Sequence, residues 1–221
     1  MDSLYSKSSD NFFYNESLNG IYGLFLCRGD VDRDTCQACV NNATQFLPKN
    51  CSSSLGAVVW YDACLLRYSS SNFFGEISLD PDFCMCNEEE TISPEEDSEV
   101  LSWLDNSTVK AQNSTMLFDA QNKVLNSNMS RPIDILTQCS RDLNGSSCYS
   151  CLKNIKTEIR AWCPRRPGWR CFAPSCFARY EKYPFFQSSP PPQPVPNAGI
   201  PPQPVPNAGI PPQPVPNAGM Y

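Results

Sequence analysis

Histidine is absent from the 221-residue sequence. Without histidine, neither a Cys-His nor a Ser-His-Asp catalytic site can form. The sequence also contains no glycine-rich loop of the kind that binds phosphate groups and no kinase signature. Nothing in it marks a pair of carboxylates for acid–base chemistry. These absences predict that the protein is not an enzyme and has no cofactor.

Long apolar runs are also missing. No segment approaches the length of a transmembrane helix, so no membrane span is predicted. The first 26 residues contain no signal peptide, because their one apolar run, IYGLFL, is short and follows acidic rather than basic residues.

Cysteine and proline are abundant instead, with 13 and 21 residues, and the formal net charge is −6. Secreted proteins use disulfides to stabilise small cores, whereas a reducing compartment makes such crosslinks useless. Seven N-x-S/T sequons point to the secretory pathway as well. The composition therefore predicts a secreted, extracellular glycoprotein, although the start of the chain does not look secreted. The sequons begin at Asn15, Asn42, Asn50, Asn106, Asn113, Asn128 and Asn144.

The cysteines follow a spacing that occurs twice. CRGDVDRDTCQAC at 27–39 and CSRDLNGSSCYSC at 139–151 share the pattern Cys-x8-Cys-x2-Cys. In both copies the next two cysteines follow after eleven and then twelve further residues, at Cys51 and Cys64 and at Cys163 and Cys176. Five cysteines in register indicate an internal repeat.

The surroundings of each motif predict the same small α+β unit. An apolar stretch that reads as a strand precedes it, at 20–27 and at 133–139. Helical periodicity follows, and then two short strands, at 56–62 and 64–69 and at 169–175 and 176–183. The predicted fold class is α+β, with tandem disulfide-linked domains that each lay helices on an antiparallel sheet. The predicted domains are 1–78 and 79–187.

Two segments depart from this pattern in composition. From Pro191 the decapeptide PPQPVPNAGI occurs three times, so residues 188–221 are predicted to be an extended, disordered tail that acts as a spacer or as a docking ligand. Residues 88–99, EEETISPEEDSE, contain seven acids and no base, which is typical of a solvated loop.

A zinc site is the main alternative to disulfides, since two Cys-x-x-Cys pairs could supply four thiolates. However, these pairs fall within the predicted helices, and the sequons indicate oxidising conditions. No metal site is predicted. Cysteines at i and i+3 of a helix are poorly placed to bond each other, so each is expected to reach a different strand.

The motifs, together with YGLFLCRGD, WYDACLLRYS and PSCFARYEKYPFF, resemble the ginkbilobin-homologous domain of plant cysteine-rich repeat secretory proteins and receptor-like kinase ectodomains. The resemblance covers roughly residues 15–187. It implies an α+β fold with three disulfides per domain. These would be Cys27–Cys36 and Cys39–Cys64 in the first domain, and Cys86–Cys163, Cys139–Cys148 and Cys151–Cys176 in the second.

Under this pairing Cys51 has no partner. The second domain's Cys86 lies 53 residues before Cys139, and the same offset from Cys27 falls before residue 1. We therefore expect the natural start to be missing, with a signal peptide and the first strand and helix of the first domain. Cys84 and Cys171 are left over, and we hypothesise a fourth bridge between them.

The resemblance also implies a sugar site. Ginkbilobin, an antifungal seed lectin of this family, holds mannose through an Asn, an Arg and a Glu at fixed offsets from three cysteines. The second domain has Asn87, Arg170 and Glu181 at those offsets, whereas the first has Val58 and Ser69 at the Arg and Glu positions and lacks the Asn position. The alternative is a structural salt bridge between Arg170 and Glu181.

The sequence thus predicts a secreted, non-enzymatic mannose-binding protein of plant defence or stress responses. The rival is a cell-surface signalling or interaction module that binds other proteins and no sugar. An anionic cell-wall polymer or membrane surface is a third possible partner, because residues 139–187 hold nine Lys and Arg against three Asp and Glu. No nucleic-acid partner is predicted. The triplet Arg28-Gly29-Asp30 is interpreted as structural rather than adhesive.

Overall fold

The computed structural model describes residues 1–88, 91–127 and 132–186. Within them the chain forms two α+β units, each with an antiparallel sheet and helices on one face, as predicted. The sequon at Asn128 and the proline-rich tail lie outside the described residues. No helix in the described part of the chain combines the length and the apolar character that crossing a membrane requires.

The first unit has a four-stranded sheet in the order β1-β2-β4-β3. Its elements are α1 (Asp2–Lys7), β1 (Phe13–Leu18), β2 (Ile21–Cys27), α2 (Arg33–Asn50), β3 (Gly56–Trp60) and β4 (Cys64–Ser69). The second unit has a five-stranded sheet in the order β5-β8-β9-β7-β6. Its elements are β5 (Phe83–Cys86), α3 (Pro94–Asn113), β6 (Phe118–Val124), β7 (Pro132–Cys139), α4 (Gly145–Trp162), β8 (Trp169–Ala173) and β9 (Cys176–Glu181).

The three long helices begin at side-chain caps. Asp32, Ser93 and Asn144 each accept a hydrogen bond from the backbone N–H three residues later. At α3 this corrects the prediction of a solvated loop at 88–99, because the second half of the acidic run forms the first turns of the helix. Acidic side chains there are stabilised by the positive end of the helix dipole.

The first unit contains a short helix, α1, that the sequence pattern does not predict. The six-residue α1 packs on α2 as α3 packs on α4, and its place before β1 matches the last turns of α3 before β6. The described residues of the first unit include no counterpart of β5, so β3 is an edge strand there.

Each unit has its own core between helix and sheet. Buried residues of α3 and α4, including Leu104 and Ile155, pack on Ile135 of β7 and on Trp169 and Tyr180 of the neighbouring strands. Period-two alternation sends the other residues of each strand to the opposite face of the sheet.

Six disulfides tie these layers together. In both units the second helical cysteine of the motif is bonded to the start of the last strand, with Cα atoms about 6 Å apart. The pairs are those that the resemblance implies, plus the hypothesised bridge. They are Cys27–Cys36, Cys39–Cys64, Cys84–Cys171, Cys86–Cys163, Cys139–Cys148 and Cys151–Cys176. Cys51 is in no disulfide.

The faces of the two sheets that carry no helix pack against each other. Trp60 of β3 lies edge-on to Phe83 of β5, with ring centroids 5.4 Å apart, and tilted against Phe172 of β8 at 6.2 Å. Leu24 and Val58 complete this apolar layer and are almost fully buried. The two units are therefore joined by a continuous third core.

Gly29 and Gln138 hold the loop after β2 against the second unit. The Gln138 side chain accepts from the Gly29 N–H and donates to the Cys27 carbonyl oxygen, so both of its polar ends are used. A Cβ at Gly29 would overlap the Phe118 ring, which means that only glycine allows this approach.

We expect Gly29→Ala to loosen the contact between the units, because the added methyl group meets an aromatic ring that cannot easily move. The free energy of unfolding should fall by about 1–3 kcal/mol, the usual cost of overpacking. Urea unfolding with the disulfides intact measures it. Ser17→Ala, on an exposed part of β1, is the control. An unchanged midpoint for Gly29→Ala would contradict the packing described.

Alkylation of the folded, unreduced protein is expected to modify Cys51 alone, since the other cysteines are in disulfides. Cys51 is half-buried at the end of α2, so slow labelling is expected. Peptide mapping without reduction identifies the labelled residue and tests the Cys84–Cys171 bridge. Finding Cys51 in an intramolecular disulfide, or free thiols at Cys84 and Cys171, would show the pairing to be wrong.

Candidate functional site

A chain of ion pairs runs along one side of the contact between the units. The Arg28 guanidinium bonds both oxygens of Asp30, at 2.6 and 2.9 Å, and also the Asp62 carboxylate at 3.1 Å. Burial by itself lowers the pKa of Arg28, but the hydrogen bonds and charges of Asp30 and Asp62 outweigh it, and the pKa is raised. Arg28 also donates to the Phe185 carbonyl oxygen of the second unit. The Arg-Gly-Asp triplet therefore makes intramolecular contacts that hold the two units together.

Arg179 of β9 extends this chain into the second unit. Its guanidinium contacts Asp62 Oδ1 at 2.8 Å and Glu181 Oε1 at 3.1 Å, and it lies 4.2 Å from the centroid of the Phe185 ring. Asp62 therefore bridges two arginines, one from each unit. Sequence reasoning missed Arg179, although its spacing of two from Glu181 places both on one face of a strand.

The predicted sugar residues lie on the same face of the second sheet. Asn87 follows the end of β5, Arg170 is in β8 and Glu181 ends β9. The Asn87 Nδ2 donates to Glu181 Oε2 at 3.3 Å, across Gly168. A Cβ at Gly168 would overlap both side chains, so this hydrogen bond needs the glycine.

Arg170 pairs with Met85 of β5 on one side and with Arg179 of β9 on the other, so it lies one cross-strand row away from Asn87 and Glu181. Its guanidinium has no hydrogen bond or ion pair to any described residue. It lines a cavity between the units together with Trp60, Asp62 and other residues. The volume of this cavity, about 20 Å³, leaves room for about one water molecule, so a hexose cannot enter between the sheets.

The geometry corrects the alternative of an Arg170–Glu181 salt bridge. Glu181 pairs with Arg179 instead, and its two oxygens are occupied by Arg179 and Asn87. Glu181 is only 3% exposed, whereas Asn87 and Arg170 are half-buried and Met85 is 39% exposed. The three residues therefore lie in adjacent cross-strand rows of one sheet face, and Glu181 is the most buried of the three.

The first unit has no such cluster at the matching positions. Val58 of β3 is buried in the apolar layer between the sheets, and Ser69 ends β4. Among the described residues, the matching positions of the first unit therefore hold no Asn, Arg and Glu set, and the sugar site in the second unit stays a prediction.

Three sulfur atoms, those of Cys84, Cys163 and Cys171, lie within 4.8 Å of one another. Each belongs to one of two neighbouring disulfides. The oxidised protein therefore offers no thiolate at this cluster to bind a metal ion.

The sequon asparagines are mostly accessible. Asn42, Asn50, Asn106, Asn113 and Asn144 are exposed, and Asn15 is half-buried in β1. Asn144 caps α4 through its side-chain oxygen, which an attached glycan would leave in place. Glycosylation stays a prediction.

The sequence matches one known family in both units of the repeat. The profile of the salt stress response/antifungal family matches residues 1–71 and 84–183. The chain is 35% identical over 174 residues to cysteine-rich repeat secretory protein 38 of Arabidopsis thaliana, covering 77% of this chain and 68% of that protein. It is 38% identical over 164 residues to an antimicrobial ginkbilobin-2-like protein of Castanea crenata, covering 74% and 67%. A 34% identical match over 189 residues to cysteine-rich receptor-like protein kinase 25 of Arabidopsis thaliana covers 82% of this chain but 28% of the kinase.

Solved structures show the same fold. The crystal structure of the tandem DUF26 ectodomain of PDLP8, a cysteine-rich receptor-like protein of Arabidopsis thaliana, superposes with a TM-score of 0.68 at 21% identity. It covers 82% of this chain and 85% of that one. The tandem ectodomain of PDLP5 gives a TM-score of 0.63, also at 21% identity, and covers 82% and 86%.

Gly168→Ala is expected to separate Asn87 from Glu181 without unfolding the protein, because the methyl group meets the movable ends of two side chains. The lost hydrogen bond should lower the free energy of unfolding by about 0.5–1.5 kcal/mol, and the NMR signals of the Asn87 side-chain NH2 should shift. Gly56→Ala, at the matching position of the first unit, is the control and should leave those signals unchanged. Identical Asn87 signals in Gly168→Ala would mean that this hydrogen bond is absent in solution.

Proposed function

Since this chain belongs to the salt stress response/antifungal family, we propose that it is a non-enzymatic extracellular recognition protein of plant stress or defence responses. Its relatives are named as secretory, antimicrobial or receptor-like proteins, and six disulfides suit the apoplast better than a reducing compartment. The proposal includes secretion of the mature protein.

The second unit binds mannose-type sugars weakly through Asn87, Arg170 and Glu181. One observation carries this proposal. Three residues from distant parts of the sequence converge on adjacent rows of one sheet face, and the Arg170 guanidinium is left without a partner among the described residues. An unpaired donor beside an amide and a carboxylate suits the vicinal hydroxyl groups of a sugar.

Binding would take place at the open edge beside Met85. It would replace the hydrogen bond between Asn87 and Glu181. A sugar hydroxyl can donate to Glu181 Oε2 in place of the Asn87 amide, which then turns to the sugar together with Arg170. A few net hydrogen bonds of about 0.5–1.5 kcal/mol each support only millimolar affinity. Useful avidity would need multivalent presentation on a glycan-rich wall.

A second candidate is an interaction module of the cell surface that binds proteins and no sugar. The observation that favours it is the Asp62–Arg179–Glu181 chain, which engages the Glu181 carboxylate within the protein. Together with the apolar layer it holds the two units in one arrangement, and a fixed arrangement suits recognition by a partner ectodomain.

Titration of mannose against the full chain, followed by NMR, tests the first candidate. Shifts are expected near Asn87, Arg170 and Glu181, with a dissociation constant in the millimolar range, and glucose and galactose should bind more weakly. Arg170→Ala should abolish the shifts while leaving the disulfides and the unfolding midpoint unchanged. Arg160→Ala, which removes an exposed arginine from α4, is the matched control and should bind like the unmodified protein.

Absence of shifts at these three residues, or equal shifts in the Arg170→Ala variant, would reject the sugar site. The interaction module would then be the better description.

A further inference from the structure

Trp162 is the most exposed aromatic residue in the described part of the chain. Its side chain is 70% exposed at the end of α4, whereas Trp60 and Trp169 are buried. The indole N–H donates to Glu158 Oε2 at 3.0 Å, one turn earlier on the same helix. This hydrogen bond limits rotation of the ring, so a flat apolar surface faces solvent in a restricted orientation.

Trp162 also lies close to the proposed sugar site. It precedes Cys163, and Asn87 follows Cys86, to which Cys163 is bonded. Because consecutive Cα atoms are about 3.8 Å apart and the two cysteine Cα atoms are 5.5 Å apart, the Cα atoms of Asn87 and Trp162 lie within about 13 Å of each other. Two or three linked hexose rings span such a distance.

The segments that carry these residues run side by side. The Asn87 N–H donates to the Gly168 carbonyl oxygen, and the Ile92 N–H donates to that of Arg165. The Cys86 Sγ lies 3.4 Å from the Trp162 carbonyl oxygen. Disulfide and backbone contacts therefore hold Trp162 and Asn87 at a fixed separation at the end of β5. Trp162 lies on the helix side of the sheet and the Asn87 side chain on the other side, so a ligand that contacts both must pass around this edge strand.

We propose that Trp162 forms a second sugar subsite, on which one ring of a mannose oligosaccharide stacks while another ring binds at Asn87 and Arg170. This inference rests on the proposed function and extends its ligand from a monosaccharide to an oligosaccharide. The C–H face of a pyranose is apolar and matches an indole ring, which presents a large rigid surface at little cost in side-chain entropy.

The charges around Trp162 favour a neutral glycan over an anionic polymer. Arg160 and Arg165 are exposed nearby, but acidic residues accompany them. Burial raises the pKa of Asp97, and a hydrogen bond from the Arg165 backbone and the positive charges of Arg160 and Arg165 oppose that shift. Asp97 therefore lies beside these arginines. Glu158 lies against the indole itself. The surface is therefore mixed in charge and does not select a polyanion.

Comparing mannose with mannotriose on the full chain tests the inference. We expect mannotriose to bind about five- to tenfold more tightly than mannose, and to shift the Trp162 indole N–H signal, which is assigned by its loss in Trp162→Ala. This variant should bind mannotriose no better than mannose and should keep the mannose affinity of the unmodified protein. Tyr149→Ala, which removes another exposed aromatic side chain of α4, is the matched control and should retain the preference.

The outcomes separate the two proposals. If mannose binds but mannotriose binds equally and leaves the Trp162 signal unchanged, the second subsite is rejected and the mannose site stands. If mannotriose shifts the Trp162 signal but not those of Asn87 and Arg170, both the continuous site and the proposed mannose site are rejected. If neither sugar binds, the proposed function fails and the subsite fails with it.

Discussion

Packing of the two sheets face to face is the contact on which the rest of this molecule depends. A small antiparallel sheet ordinarily leaves one face to water, but here Trp60, Phe83 and Phe172 fill the space between two such faces. Each unit is small, and the shared layer gives both of them a larger apolar core than either has alone. Residues on these faces therefore have to fit the other unit as well as any ligand.

This constraint explains the state of the candidate site. Glu181 lies at the border of the apolar layer, where its charge needs partners, and Arg179 and Asn87 provide them. Arg179 in turn reaches Asp62 of the first unit. The Glu181 carboxylate is thus part of both the contact between units and the proposed sugar site. Any ligand must compete with its existing interactions with Arg179 and Asn87.

Two disulfides hold the edge strand β5 in place. β5 is a short edge strand of four residues, and two disulfides bind it, one to β8 and one to the end of α4. Since Asn87 and Trp162 are each adjacent in sequence to the second of these bridges, their separation is set by covalent bonds rather than by side-chain packing. The proposed recognition surface, built on small cores, would gain its rigidity in this way.

The sequence by itself determined the repeat, the α+β class and the register of the cysteines, because spacing and periodicity are local properties that the chain carries along its length. The candidate sugar residues of the second unit came from the resemblance to the ginkbilobin-homologous domain rather than from any local pattern, and they stay a prediction. The sequence did not indicate α1. It also did not indicate that the second half of the acidic run at 88–99 is helical, because the N-cap Ser93 starts α3 there despite a composition typical of loops. Only the tertiary structure decided that Glu181 pairs with Arg179 rather than Arg170, that Asp62 joins the units, and that Gly29 and Gly168 must lack a side chain. These features depend on which strands become neighbours and which faces meet, and distances between residues far apart in sequence are not encoded in any local pattern.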